Sequence, residues 1–176
     1  DEESGFAKPA SFVTAILDPK EWKAEFVSAE TEADADVSKG TLLRKEFTVE
    51  KKVKNAFVCV TGLGIYNLYL NGSKVGNDEM TPGWTSYHKH LCYQTYEVTG
   101  LLRQGSNSLG AMLVAGWYKG VIGFVHERNN YGKQTALLAQ LLIRYEDGSC
   151  QTVVTDDSWM GADSPVVFAE IYDGEI

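Results

Sequence analysis

Between Gly62 and Tyr87 the chain gathers side chains that can hold a small polar molecule. Asn77, Asp78 and Glu79 follow one another, an amide and two carboxylates whose oxygens suit hydroxyl groups or a hard cation such as calcium. Pro82-Gly83-Trp84 comes next, a turn that delivers an indole. Trp117 and Tyr118, directly after Gly116, add two more aromatic faces. Sugars are held by an aromatic ring under their C–H face, with amides and carboxylates on their hydroxyls. Asn77, Asp78, Trp84, Trp117 and Tyr118 are therefore the candidate carbohydrate-binding residues, and Asn77, Asp78 and Glu79 the candidate metal ligands. The competing reading is structural: Trp84 and Trp117 plug the ends of a core.

Other chemistries find less support. Glycoside hydrolysis needs two carboxyl groups about 5–5.5 Å apart for retention or about 6.5–9.5 Å for inversion. Asp156 and Asp157 are adjacent, would face opposite ways on a strand, and read better as a turn. Glu170, Asp173 and Glu175 fall where an exposed or interdomain role is expected. His88 and His90 flank Lys89 and would share one strand face, but no third metal ligand is in view. No serine sits in a G-x-S-x-G elbow, and no glycine-rich loop has P-loop spacing. Asn129-Asn130-Tyr131-Gly132 reads as a solvated turn or the wall of a groove.

The elements that must position these residues are short and β-rich. Ile65, Asn67 and Tyr69 alternate with Tyr66, Leu68 and Leu70, the period of a strand. Asn71-Gly72 then closes a hairpin, because both central residues of a type I′ turn need positive φ. From Thr41 onward, β-branched and aromatic runs separated by Gly, Asn, Asp and Pro predict a sandwich or barrel. Residues 98–102 read as a single helical turn. The apolar run 134–145 is long enough for a helix, yet Glu146-Asp147-Gly148-Ser149 reads as a hairpin turn into a second β-rich run, which favours a strand. Residues 11–17 could form one strand belonging to a preceding domain or a sheet edge. Residues 30–39 are acidic and polar and read as a surface loop.

The totals set bounds. A chain of 176 residues, 44% apolar, suits one domain with a two-layer core. A net charge of −8 argues against a nucleic-acid partner and against an anionic membrane surface. Cys59, Cys92 and Cys150 show no zinc spacing, and an odd count argues against a full disulfide framework. Cys59 and Cys92 fall in predicted strands, where a buried thiol acts as a small hydrophobe. The first residues, DEESGF, carry no initiator Met and read as a segment cut from a longer chain.

Read in order, LRKEF at 43–47, YLNGSKVGNDEMTPGWTSY at 69–87, YQTYEVTGLLRQGSN at 93–107, GWYKG at 116–120 and FAEIYDGEI at 168–176 resemble one family. It is the N-terminal jelly-roll domain of bacterial α-L-rhamnosidases of glycoside hydrolase family 78. DPKEWKAEFV at 18–27 is similar to that family's connection from a preceding β-domain. A weaker likeness, shared with the jelly rolls of β-galactosidases and glucuronidases, bears on the fold more than on the function.

The resemblance implies an all-β, galactose-binding-like jelly-roll sandwich over 21–176, with 1–20 as the end of a preceding β-domain or a linker. It implies a non-catalytic accessory domain packed beside the catalytic barrel of the same parent chain, in an enzyme that removes terminal L-rhamnose outside the cytoplasm, in the periplasm or beyond. No cofactor is required. The alternative is a calcium-dependent module that binds rhamnose-containing glycan.

Overall fold

The computed structural model describes residues 13, 14 and 16–176. Eleven strands can be followed: β1 (Thr41–Val49), β2 (Val53–Leu63), β3 (Ile65–Leu70), β4 (Ser73–Lys74), β5 (Gln94–Glu97), β6 (Gly105–Val114), β7 (Ala136–Tyr145), β8 (Cys150–Val154), β9 (Met160–Asp163), β10 (Ala169–Glu170) and β11 (Gly174–Glu175). A single turn of helix, α1, spans Gly116–Lys119. One sheet has the order β4-β3-β6-β1-β9 and the other β5-β2-β7-β8, with β10-β11 as a separate hairpin. The pairings are antiparallel throughout. This is the expected jelly-roll sandwich.

The core lies between the two sheets and is filled by alternate residues, as a pleat demands. Leu43, Tyr66, Leu68, Leu70, Leu109, Ala111 and Leu113 point in from the five-stranded sheet. Ala56, Val58, Val60, Leu137, Ala139, Leu141, Ile143 and Val153 meet them from the other. Burial of each larger aliphatic side chain contributes about 1.5–3 kcal/mol.

The hairpin forms as its sequence requires: Asn71 and Gly72 adopt φ of 53° and 83°. Asn71 does more than turn, since its amide donates to the Leu101 carbonyl and to Asn107 Oδ1, both at 2.8 Å. Residues 136–145 are a strand, and Thr99–Leu101 is the short helical turn.

Several expectations fail. Of residues 11–17, the described ones (13, 14, 16 and 17) lie in no strand, and the rest fall outside the described residues. Cys92 is exposed and precedes β5, which starts only at Gln94. Cys59 is the buried thiol, as its strand predicts. His88, Lys89 and His90 occupy a tight turn in which Lys89 N–H donates to Ser86 O, so no strand aligns the two imidazoles. Residues 30–39 are a loop at the surface as expected, but Glu30 and Ser38 within it are buried.

Candidate functional site

Two long loops, 75–93 and 115–135, meet at one end of the sandwich and carry the candidate aromatics. The first is bolted to β3: Tyr66 N–H donates to the Thr81 carbonyl at 3.0 Å, and the Thr81 hydroxyl donates back to the Tyr66 carbonyl at 2.9 Å. The Tyr66 phenol, buried in the core, donates to Gln94 Oε1 at 2.6 Å, and burial pushes its pKa far up. Gly76 has φ of 75°, and a Cβ there would lie 2.3 Å from the Tyr96 ring, so only glycine fits this close approach.

The second loop rests on one fully buried ion pair and one partly buried one. Lys119 is fully buried, and its ammonium donates to Glu30 Oε1 at 2.8 Å and to the Asp34 carbonyl at 2.7 Å. Glu30 Oε2 accepts from Thr135 N–H at 2.7 Å. Beside this pair, the Glu170 carboxylate accepts from Ser38, from the Arg128 guanidinium and from Val121 N–H. Arg128 also donates to the Asp36 carbonyl at 2.7 Å, and Asn129 to Asp36 Oδ1 at 2.9 Å. The acidic segment thus acts as a strap that fixes α1 and the loop behind it. Its composition hid this, because the partner of Glu30 lies 89 residues away. Glu170, expected at an exposed or interdomain position, is buried and holds this network together.

On this frame Trp84 and Trp117 lie parallel, at 6° and 6.3 Å between ring centroids. Trp84 Nε1 donates to Tyr131 Oη at 3.1 Å. Tyr87 meets Tyr118 edge-on at 5.2 Å and Tyr131 at 4.9 Å, and His88 lies 5.5 Å from Tyr131. A Cβ at Gly132 would sit 2.1 Å from the Tyr118 hydroxyl, so this loop too closes on a glycine. Trp84 is 57% exposed and neither indole belongs to the core, so they are not the plugs that the structural alternative required. Three of the candidates, Trp84, Trp117 and Tyr118, therefore share one cluster. Tyr87 and Tyr131 complete it, and only the aromatic type of Tyr131 in a polar turn could have signalled its part.

The oxygen donors are placed differently. Asp78 accepts from the Tyr96 hydroxyl at 2.8 Å, while Glu79 pairs with Lys74 at 2.6 Å. Asn77 is exposed beside them. The two neighbouring carboxylates thus answer to different partners, and among the described residues no three His, Cys, Asp or Glu side chains converge as a metal site. Asp156 accepts from Ser158 N–H at 3.0 Å and faces Lys45, in the turn its sequence implies.

Burial and neighbouring negative groups raise the phenols of Tyr87 and Tyr96 to about 12, burial being the larger cause for both. The neutral phenol is the form the fold favours. Each therefore contributes stability that is complete below pH ~10 and fades as pH rises to ~12. Unfolding midpoints followed across that window should fall, and tyrosinate absorbance should appear in a late step that unfolding by denaturant abolishes.

A second surface is apolar. Val167, Tyr172 and Ile176 on the β10-β11 hairpin are exposed, and Tyr172 Oη accepts from Gly123 N–H at 3.3 Å, next to exposed Phe124 and Val125. Between this hairpin and the outer face of β3 and β6 runs a cleft of about 360 Å³ where Ile65, Met80, Met112, Val114 and Ile171 are interspersed with Asn67, Glu79 and Glu175. Met112 also lines a neighbouring hollow of about 420 Å³ over Gly110, with Leu42, Tyr69 and Met160. The apolar band thus crosses the outer face of the five-stranded sheet.

Comparison with known proteins agrees with this fold. Residues 51–176 match the family described as Alpha-L-rhamnosidase N-terminal domain. An alpha-L-rhamnosidase of Alteromonas sp. (strain LOR) is 39% identical over 98% of the chain, which spans 20% of that protein. The crystal structure of native α-L-rhamnosidase from Aspergillus terreus superposes with a TM-score of 0.86 at 37% identity, covering 91% of this chain and 19% of that one. That of Streptomyces avermitilis alpha-L-rhamnosidase, complexed with L-rhamnose, gives 0.77 at 42% identity, over 79% of this chain and 14% of that one. The chain therefore spans about a fifth or less of these relatives. With the family matched over 51–176, the chain belongs to the alpha-L-rhamnosidase N-terminal domain family.

Proposed function

We propose that this jelly roll is the accessory domain of a larger α-L-rhamnosidase, docked through its apolar face against the catalytic domain of the same chain. The observation that carries this is coverage: several rhamnosidases at 37–42% identity each contain the whole or most of this fold as a fifth or less of their length. The exposed apolar side chains Val167, Tyr172 and Ile176 of the β10-β11 hairpin, with Met160 on β9, support the docking half, because clustered exposed apolar surface marks an interaction site. The tempting carboxylates serve the fold: Glu170 holds Arg128, and Asp156 holds Lys45 and Ser158. The parent enzyme would release terminal rhamnose from glycans or glycosides. Scavenging such substrates suits a periplasmic or extracellular site. Among the described residues no helix is long and apolar enough to cross a membrane.

Val167→Glu and Tyr172→Glu test the docking face. Both side chains are exposed, so Val167→Glu should alter the melting of the 176-residue chain by no more than about 0.5 kcal/mol, and Tyr172→Glu, which gives up the bond from Gly123 N–H, by no more than about 1.5 kcal/mol. In the parent enzyme each should lower the temperature at which rhamnosidase activity is lost. Unchanged heat inactivation of the parent for both variants would remove this face from the interface.

A further inference from the structure

One apolar pair is left without a task by the fold. Phe124 is fully exposed, so its ring gains no burial from its own domain, and Val125 beside it is 75% exposed. Single surface hydrophobes are ordinary, but this pair stands on a rigid base. Gly123 and His126 bracket it at positive φ, 78° and 51°. His126 N–H donates to the Gly123 carbonyl at 3.3 Å, and Ile122 N–H to the Glu127 carbonyl at 3.0 Å. Residues 122–127 are thereby closed into a tight turn with Phe124 and Val125 at its tip.

Both legs of this turn are bolted to one buried carboxylate. Glu170 Oε2 accepts from Val121 N–H at 2.7 Å on the incoming leg, and Oε1 accepts from Arg128 on the outgoing leg. A Cβ at Gly120 would lie 2.6 Å from Glu170 Oε2, so the chain passes this close only as glycine. Behind the legs, Asn129 N–H donates to the Lys119 carbonyl at 2.8 Å. Glu170 belongs to β10, and Tyr172, in the turn of the same hairpin, accepts from Gly123 N–H. The tip is therefore fixed to the hairpin that exposes Val167, Tyr172 and Ile176, and the two move as one piece.

A fixed apolar tip loses little conformational freedom when it is covered. A ring open on every side is answered by a socket better than by a flat surface, as for the aromatic anchors of other interfaces. We propose that Phe124 and Val125 form a docking finger that inserts into an apolar socket on the neighbouring domain of the same parent chain. The identity of the partner rests on the function proposed above; the finger itself rests on the geometry. Rhamnosidases that carry this fold as a fifth or less of their length supply such a neighbour, whereas two copies of this chain would each bring a net charge of −8 and repel.

Thiol labelling tests the finger. Phe124→Cys and Val167→Cys are each treated with a maleimide in the 176-residue chain and in the native parent enzyme. Modification is read at the substituted position by peptide mass, because Cys92 and Cys150 are also exposed. Phe124→Cys should react at least about tenfold more slowly in the parent than in the chain alone, and urea should abolish the difference. Phe124→Asp should shorten the half-life of the parent's activity at elevated temperature by roughly threefold or more, and Phe124→Leu should keep most of it. Neither change should shift the melt of the 176-residue chain, since the ring is unburied there. Equal labelling of Phe124→Cys in parent and chain, or heat inactivation that ignores Phe124→Asp, overturns the finger. Protection at position 167 with none at 124 removes the finger and leaves the hairpin face standing; protection at neither removes both.

Discussion

Lys119→Met should destabilise the domain by about 3–5 kcal/mol, the cost of stranding a buried carboxylate. The reason is local and chemical. The Lys119 ammonium and the Glu30 carboxylate are each only 1% exposed, and their 2.8 Å contact is the sole charge compensation for Glu30 in the structure's described residues. Methionine keeps the stem's packing and removes the charge, so the loss reports the pair and not a cavity. Adding Glu30→Leu should recover only part of the loss, since Thr135 N–H and the Asp34 carbonyl would then be left without their partners. Urea unfolding of the two variants measures both numbers. A loss below about 1 kcal/mol for Lys119→Met would mean that the pair is open to water.

Tyr66→Ala should cost a similar amount, about 3–5 kcal/mol, as for other buried aromatics cut to alanine. Tyr66 is 2% exposed and packs among Val60, Leu68 and Leu113 in the central cluster. Tyr66→Phe separates packing from hydrogen bonding. It keeps the ring and removes the hydroxyl's bonds to Gln94 Oε1 and to the Val60 carbonyl, so about 1–2 kcal/mol should be lost. Against an expected total stability of about 5–15 kcal/mol, the alanine variant stands near the limit of folding. Thermal melts of the two proteins, recorded together, distinguish a core residue from one held mainly by its phenol.

What the sequence showed and hid follows from the range of the interactions. The hairpin at Asn71-Gly72 was legible because two neighbouring residues supply both positive φ angles. The strand at 136–145 was legible from the turn that follows it, although its own apolar run was ambiguous. Trp84, Trp117 and Tyr118 could be named by type, and the fold brings them together. Their partner Tyr131 could not, because it lies in a polar turn and joins Trp84 across 47 residues. The acidic segment 30–38 misled for the same reason. Local composition reads as solvated when the lysine that pairs with Glu30 and the arginine that donates to Asp36 O and Ser38 come from residues 119 and 128. Asp78 and Glu79 show the converse. Adjacent in sequence, they turn to Tyr96 and Lys74, and adjacency in a loop sets no common direction.

The domain carries an exposed apolar face beside the β10-β11 hairpin and a tightly packed aromatic cluster at the loop end. Between them the core and the buried strap hold both in place. Loss of the strap should therefore disturb the aromatic end before the sandwich itself, which tryptophan emission in Lys119→Met can follow.

The most direct measurement is hydrolysis of an aryl α-L-rhamnoside by the parent polypeptide and, separately, by the 176-residue chain at equal concentration. Release of rhamnose by the parent and none above buffer by the chain alone is the expected result for an accessory domain. Turnover by the 176-residue chain itself, or none by the parent, would contradict it.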